Sequence, residues 1–433
     1  MTNYSNTDLL YQKRASVVPK GLGIFSPASA KEAKGALVWD ADGRELIDFA
    51  GGIGVMNVGH CPEKVVKAIQ DQAARLIHTC FNVAIYEPYL ALAEKLVSIL
   101  PHGETTKVML TNTGAEAVEN AIKIARQATG RPAVICYEGA FHGRSMMAMT
   151  LTSKVGYKQH CGPFAPEIYR IPFPYFQADH ENISEEAFGK KHLDYLLNYF
   201  NQGVSASQVA AIILEPVQGE GGFHVVSPTY LKGLRKICDN YGIMLILDEV
   251  QSGFGRTGKW AAYEHYDVIP DISTWAKSMG GGMPIGCVMG KAAIMDAAGP
   301  STIGGTYPGN PVCAAAALAT IEYMEEINLN ELGTHVGIKV HDFFKRLKNK
   351  FPDTIKAIHG LGAMLAIELV DQHGNPAADL TKKVLHFANE NGLILISAGV
   401  NGNYIRILSP LVISDAHLFK GFEIIENAFN ALL

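Results

Sequence analysis

Two short segments of this 433-residue chain carry groups whose chemistries complement each other. Ile243-Met244-Leu245-Ile246-Leu247-Asp248-Glu249-Val250 is an apolar run that ends in carboxylates. Ile272-Ser273-Thr274-Trp275-Ala276-Lys277-Ser278-Met279 sets an amine in apolar surroundings, just before Gly280-Gly281-Gly282. Pyridoxal phosphate chemistry requires two such protein groups: an amine to condense with the aldehyde, and a carboxylate to hold the proton of the pyridine nitrogen. Trp275, Ala276 and Met279 point to burial of Lys277. Burial lowers an amine's pKa and favours its nucleophilic free base. Asp248 acts on the ring instead, because its negative charge keeps the pyridine protonated and electron-withdrawing. Each residue also has an ordinary reading, Lys277 as one of 37 basic residues and Asp248 as a strand-end cap.

Three more segments carry candidate groups, each with a structural alternative. Thr113-Gly114-Ala115-Glu116 lies between an apolar run and a helical pattern. Backbone N–H groups at such a helix start suit a phosphate, although a turn with an N-terminal cap has the same sequence. In Phe141-His142-Gly143-Arg144 the aromatic suits ring stacking or a core position. Arg144 suits a bidentate carboxylate contact or a surface ion pair. Glu215-Pro216-Val217-Gln218-Gly219-Glu220-Gly221-Gly222 follows another apolar run, so Glu215 reads as a site acid or a loop acid. The fifteen histidines show no metal-ligand spacing, and His60, His78 and His142 read as ordinary hydrogen-bonded side chains. Gly253-Phe254-Gly255-Arg256-Thr257-Gly258 formally matches the dinucleotide fingerprint. That motif requires its first glycine tight against the strand and a helix opening within it. Here residues 249–252 intervene, no long helical pattern follows, and Trp260 replaces the Ser/Thr of a P-loop. An NAD(P)-linked oxidoreductase is therefore a remote alternative.

Positioning these groups falls to an α/β scaffold. Residues 107–111, 133–137, 209–214, 243–247 and 284–289 read as buried strands, and 115–129 repeats its apolar residues at helical spacing. Alternating strands and helices predict an open, mostly parallel sheet with ligand sites at its strand ends. Residues 37–52 read as a hairpin turning at Asp42-Gly43. Beyond about 325 the pattern changes. Residues 322–347 are charged and helical, and 360–369, 393–398 and 404–408 read as strands of a smaller α+β unit. The expected division is a segment 1–58 belonging to the small domain, a large domain 59–325, and the rest of the small domain at 326–433. Net charge is −5 with no long basic run, which argues against a nucleic-acid partner. The amino terminus lacks a signal-peptide core, and the longest apolar runs stop at Glu215 and Asp248, well short of a membrane span. Seven cysteines, odd in number and without a C-x-x-C pair, fit a reducing cytoplasm and suggest neither a disulfide framework nor a metal site.

Taken together, DFAGGIGVMNVGH (48–60), TNTGAEAVENAIKIAR (111–126), GAFHGR (139–144), ILEPVQGEGGF (213–223), LDEVQSGFGRTG (247–258), WAKSMGGGMP (275–284) and GGTYPGNP (304–311) resemble the class III, or ω-amino acid, aminotransferases. The resemblance covers nearly the whole chain. It implies PLP fold type I (aspartate aminotransferase-like), a large domain with a mostly parallel sheet plus a smaller α+β domain. It implies pyridoxal 5'-phosphate with Lys277 as Schiff-base lysine and proton shuttle, and Asp248 as partner of the ring nitrogen. Gly114 and Ala115 would give backbone contacts to the phosphate, and Thr306 would reach the phosphate of the other subunit's cofactor. Phe141 would stack on the ring, and Gln251 would lie near its phenolic oxygen. Ile53, Arg144, Glu215 and Arg406 would serve the substrate. Ala115 and Phe141 stand where the family often has Ser and Tyr, so a hydroxyl contact to the phosphate is missing.

Within the class the chain resembles most the 4-aminobutyrate group, in which the amino group passes to 2-oxoglutarate and leaves succinate semialdehyde and glutamate. In that scheme Arg144 binds the distal carboxylate of either substrate. Glu215 neutralises Arg406 for the monocarboxylate donor and swings away for the α-carboxylate of the keto acid. Other donors (5-aminovalerate, ornithine, β-alanine) and an amino acid epimerase or decarboxylating relative on the same fold preserve Lys277 and Asp248, whereas a non-catalytic PLP-binding regulator would have no need of the Glu215–Arg406 pair. The implied assembly is a homodimer or a dimer of dimers.

Overall fold

The computed structural model describes residues 5–103, 105–177 and 182–433. After a polar helix, Asn6–Val17, come strands β1 (Glu32–Lys34), β2 (Leu37–Trp39) and β3 (Glu45–Asp48). β2 and β3 form the expected hairpin. Its turn is closed by the Asp40 carboxylate, which accepts the N–H groups of Asp42 and Arg44, and Gly43 supplies the positive φ of 82°.

The central sheet contains β4 (Thr106–Thr111), β5 (Ala133–Tyr137), β6 (Ile168–Ile171), β7 (Val209–Leu214), β8 (Met244–Asp248), β9 (Ile272–Trp275) and β10 (Gly286–Lys291). Their order is β4-β10-β9-β8-β7-β5-β6. β6, β5, β7, β8 and β9 run parallel, and β10 runs antiparallel to β9 and β4. Every residue of β5 and β7 is buried. Strands covered on both faces read as continuous apolar runs rather than alternating ones, which is why both sets of boundaries agree with the sequence reading.

The helix Gly114–Thr129 covers one face of this sheet. Ala117, Val118, Ala121, Ile122 and Ala125 recur at helical spacing and pack on Met109, Val134, Ala211, Ile213 and Ile246. Each fully buried Val or Ile contributes roughly 1.5–3 kcal/mol, so the helix is firmly seated. Its amino terminus is thereby held beside the carboxyl ends of the parallel strands.

The remaining strands are β11 (Ile355–Leu361), β12 (Met364–Leu369), β13 (Leu393–Ile394), β14 (Ile396–Ala398) and β15 (Tyr404–Ile407). β11-β12-β15-β14 form one sheet, while β13 pairs in parallel with β3. Three expectations are corrected here. Residues 360–369 are not one strand, because the chain turns at Gly362 (φ 58°) between β11 and β12. Gly362 also lies against the backbone of Thr257, which a Cβ would approach to 2.4 Å. Residues 393–398 divide between two sheets. The charged stretch 322–347 spans two helices, Pro311–Glu326 and Leu329–Lys350, which are separated at Asn328 with φ 50°.

Candidate active site

The carboxyl ends of β5, β7, β8 and β9 open onto a cavity of about 420 Å³. Gly114, Ala115, Phe141, Glu215, Asp248 and Lys277 all line it, as does Gln251. Residues spread over more than 160 positions of sequence therefore meet where ligands bind in open α/β sheets.

Lys277 lies two residues beyond the end of β9, in a left-handed conformation at φ 49°. Such a φ is strained for a side chain other than glycine's. The next residue, Ser278, donates its hydroxyl to the Gly54 carbonyl at 2.9 Å. Burial pushes the Lys277 amine down to about 8, against the opposing pull of the Glu220 carboxylate and with help from Arg406.

Asp248 is the last residue of β8, and its two ordinary roles coincide. Its Oδ1 accepts the Val250 N–H at 3.1 Å, as a strand-end cap does. Its Oδ2 meets His142 Nδ1 at 2.7 Å, with both residues buried. A carboxylate has about four lone-pair sites, so Asp248 keeps capacity for another donor. His142 is hydrogen-bonded, as the sequence reading has it, but its partner is the site carboxylate and it lines the cavity. Its Nε2 is buried without a partner among the described residues. No motif spacing marks this pairing, since 106 positions separate the two residues.

At the start of the helix Gly114–Thr129, the Thr113 hydroxyl accepts the Glu116 N–H at 3.1 Å and the Thr113 carbonyl accepts the Ala117 N–H. The N–H groups of Gly114 and Ala115 belong to the first turn, which has no acceptors within its own helix. Gly114 has no room for a side chain, because a Cβ would lie 2.9 Å from two Val250 carbons.

The two glutamates after β7 divide the work differently from the sequence reading. Glu215 stays at the sheet edge: its Oε2 accepts the Phe141 N–H and its Oε1 the Gly219 N–H, each at 3.1 Å. Burial pushes its carboxyl up to about 7, and Asp248 adds to the rise. No ion pair or hydrogen bond joins Glu215 to Arg406 among the described residues. Arg406 instead donates from Nη1 to Glu220 Oε1 at 2.6 Å, so the countercharge of Arg406 is Glu220 and not Glu215. The reason is the path of the chain. Residues Gly219–Gly222 form one helical turn, closed by Phe223 at φ 62°, and this turn carries residue 220 across to β15. Burial raises the Glu220 carboxyl, but Arg406, Lys277 and Lys154 outweigh it and hold the group below the usual range.

The other expected residues sit around this centre. Arg144 is exposed, with its guanidinium 4.9 Å from the ring centroid of Tyr157. Ile53 has φ 66° between Gly51, Gly52 and Gly54, all left-handed. It packs against a cluster that contains Phe223, Tyr404 and Leu408. Thr306 is exposed and outside the cavity. The fingerprint-like segment 253–258 is a series of turns with no helix. Its Arg256 is wholly buried, donating to the Ser409 and Leu408 carbonyls at 3.0 and 3.3 Å and to Asn57. It braces the loop after β15 rather than lining the cavity.

Among the described residues there is no cluster of acids, histidines and cysteines fit for a metal, and no helix is long and apolar enough to cross a membrane.

The class III aminotransferase pattern matches residues 23–429. The chain belongs to the class III aminotransferases. It is 45% identical to a probable 4-aminobutyrate aminotransferase of Bacillus subtilis, over 97% of each chain. It is also 45% identical to a 5-aminovalerate aminotransferase of Pseudomonas aeruginosa, over 98% of each. The crystal structure of an (S)-enantioselective omega-transaminase from Thermomicrobium roseum superimposes with a TM-score of 0.90 at 28% identity, over 99% of each chain. The enzyme is thus a pyridoxal-phosphate-dependent aminotransferase. Its residues fit that cofactor: a buried amine with lowered basicity, a carboxylate with spare acceptor capacity, an unpartnered histidine nitrogen, and a helix start, all on one cavity.

Proposed function

We propose that this aminotransferase moves the amino group of 4-aminobutyrate to 2-oxoglutarate, giving succinate semialdehyde and glutamate. The observation that carries this reading is the Glu220–Arg406 pair beside Lys277. Such an enzyme must take a donor with one carboxylate and then a keto acid with two. Arg144 serves the distal carboxylate of both. Arg406 would be a buried, unpaired cation whenever the donor is bound, and an uncompensated buried charge is costly. Glu220 neutralises it in that half of the cycle and yields to the α-carboxylate in the other.

Pyridoxal phosphate, when bound, supplies an aldehyde for amines and a ring that withdraws electrons. In this reading Lys277 would hold the cofactor through its amine and would move a proton between Nζ and the donor carbon that bears the nitrogen. Its lowered basicity keeps a useful fraction of free base near neutral pH. Asp248, oriented by His142, would hold the ring-nitrogen proton. The N–H groups of Gly114 and Ala115 take the phosphate. Phe141, fixed through its own N–H by Glu215, would stack on the ring, and Gln251 would serve the ring oxygen. Ile53 forms a wall for the donor's carbon chain.

The same reading makes the active unit a homodimer, to which Thr306 contributes across the interface. Ile77, Val83, Ile85 and Tyr307 are large hydrophobics exposed to 63, 81, 75 and 63% in the single chain, and Tyr307 is adjacent to Thr306. A second copy of the chain would cover them. The large domain 59–325 would carry the cofactor, flanked by a small domain from 1–58 and 326–433. All seven cysteines are free thiols, which suits the cytoplasm.

5-Aminovalerate is the second reading, favoured by a relative of equal identity with that name. One methylene in an apolar pocket is worth only about 1–3 kcal/mol of discrimination. A donor screen with 2-oxoglutarate, following glutamate, tests both. The highest kcat/KM is expected with 4-aminobutyrate. A higher value with 5-aminovalerate moves the assignment to that donor, and no glutamate from any ω-amino acid overturns it.

A further inference from the structure

Tyr157 ends a short turn, Val155–Tyr157, and is half-buried between the two carboxylate-handling arginines. Its ring lies beneath the Arg144 guanidinium, centroid distance 4.9 Å, and beneath the Lys154 ammonium at 5.6 Å. The edge-on ring of Phe141 is 5.4 Å away. Its hydroxyl lies 3.4 Å from Glu220 Oε2, the oxygen that does not face Arg406. Lys154 is fixed by donation to the Gly399 carbonyl at 3.1 Å, and the Gly399 N–H donates to the Glu220 carbonyl at 3.0 Å. Tyr157, Lys154 and the Glu220 backbone are therefore held as one assembly.

This arrangement answers a question that the dual-substrate scheme raises. When a substrate α-carboxylate takes Arg406, Glu220 Oε1 loses its partner while the carboxylate stays largely out of water. A buried charge in that state needs another donor. The hydroxyl already beside Oε2 is that donor, and two cations lie over its ring. We propose that Tyr157 receives Glu220 when Arg406 binds the α-carboxylate, which makes it a specificity-determining positioning residue for the dicarboxylate half-reaction. This inference rests on the Glu220–Arg406 exchange described under the proposed function.

Tyr157→Phe keeps the ring contacts with Phe141 and Arg144 and removes only the hydroxyl. A hydrogen bond to a charged group is worth roughly ten- to a hundredfold, and half-burial places Tyr157 near the lower end. The keto-acid half-reaction should rise about tenfold in KM with little change in kcat, while the 4-aminobutyrate half-reaction stays within about twofold. Glu220→Gln should show the opposite asymmetry. In the Tyr157→Phe/Glu220→Gln double variant the keto-acid penalty of Tyr157→Phe should vanish, because no charge remains to be received. Equal effects of Tyr157→Phe on both half-reactions, or a penalty that persists undiminished in the double variant, would overturn the inference. If Glu220→Gln alone shows no asymmetry, the exchange itself fails and the inference falls with it. If Glu220→Gln is asymmetric and Tyr157→Phe is not, only the role of Tyr157 falls.

Discussion

Replacing Glu220 by Gln isolates the charge that, under the proposed function, would let one site serve two kinds of acid. The amide has the same shape, and its oxygen still accepts from Arg406, but the negative charge is gone. The Arg406 side chain is 3% exposed and that of Glu220 is 17% exposed, at a separation of 2.6 Å. Removing one partner from a buried pair costs about 3–5 kcal/mol. The retained amide contact and the partial exposure of Glu220 reduce this to about 2–3 kcal/mol, or roughly thirty- to a hundredfold at 1.4 kcal/mol per decade. That loss should fall on the 4-aminobutyrate half-reaction, during which Arg406 has no substrate carboxylate. With glutamate or 2-oxoglutarate bound, the substrate itself neutralises Arg406, and the loss should stay within about threefold. Single-turnover rates, read from cofactor absorbance for each half-reaction separately, distinguish the two. Glu215→Gln should affect both halves alike, since Glu215 holds the Phe141 and Gly219 N–H groups and does not touch Arg406. Arg144→Ala should also damage both, because both substrates present a distal carboxylate. Equal losses for Glu220→Gln, or an asymmetry in Glu215→Gln instead, would refute the reasoning.

Borohydride reduction of the holoenzyme followed by peptide mapping should place the cofactor label on Lys277, and a label on another lysine would remove it from its role. Lys277→Ala should lose turnover by several powers of ten, because in the proposed mechanism one residue would supply both covalent and proton-transfer catalysis. With the Lys277 amine lowered to about 8 by burial, its neutral form is the minor species at pH 7 and the major one at pH 9. Capture of pyridoxal phosphate by the apoenzyme should thus accelerate about fivefold between pH 7 and 8 and level off near pH 9, whereas an ordinary lysine would keep accelerating past pH 10. Arg256→Leu should lower stability by at least about 2 kcal/mol in denaturant melts, since it orphans the buried acceptors of Leu408, Ser409 and Asn57; an unchanged midpoint would show that the loop is braced by other contacts. Mixing inactive Lys277→Ala chains with chains inactivated at Thr306 should restore activity through composite dimers, and a fully active monomer in sedimentation would exclude them.

What could be read before the structure divides along a physical line. β5 and β7 were legible because full burial on both faces leaves an uninterrupted apolar run with sharp ends. The place of Asp248 and Lys277 on the cavity was legible because Asp248 ends an apolar run and Lys277 follows Trp275 and Ala276 directly, where a charged group has few structural uses. The β11–β12 turn was not, because the need for glycine at 362 comes from the Thr257 backbone more than a hundred residues earlier. His142 was hidden for the same reason: it lies in the loop after β5, and its significance is a 2.7 Å contact with a residue at the end of β8.

Glu215 and Glu220 show where the line falls within a single motif. Strand-end logic selects Glu215, the residue that directly follows β7, and it does line the cavity. The choice of partner for Arg406 depends on the eight residues that follow, Pro216 to Phe223. Gly221 must lack a side chain, because a Cβ would lie 2.7 Å from both the Gly139 carbonyl and the Gln218 side chain. Gly222 must lack one because a Cβ would lie 2.8 Å from the Tyr404 ring. Phe223 then closes the turn in a left-handed conformation. The glycines thus let the turn close against β15, and closing it places the carboxylate of residue 220 against Arg406. A larger side chain at Gly222 would push the turn away from Tyr404 and should separate Glu220 from Arg406 without altering either residue. Gly222→Ala should therefore reproduce the half-reaction asymmetry of Glu220→Gln. A symmetric loss would mean that the turn serves only packing.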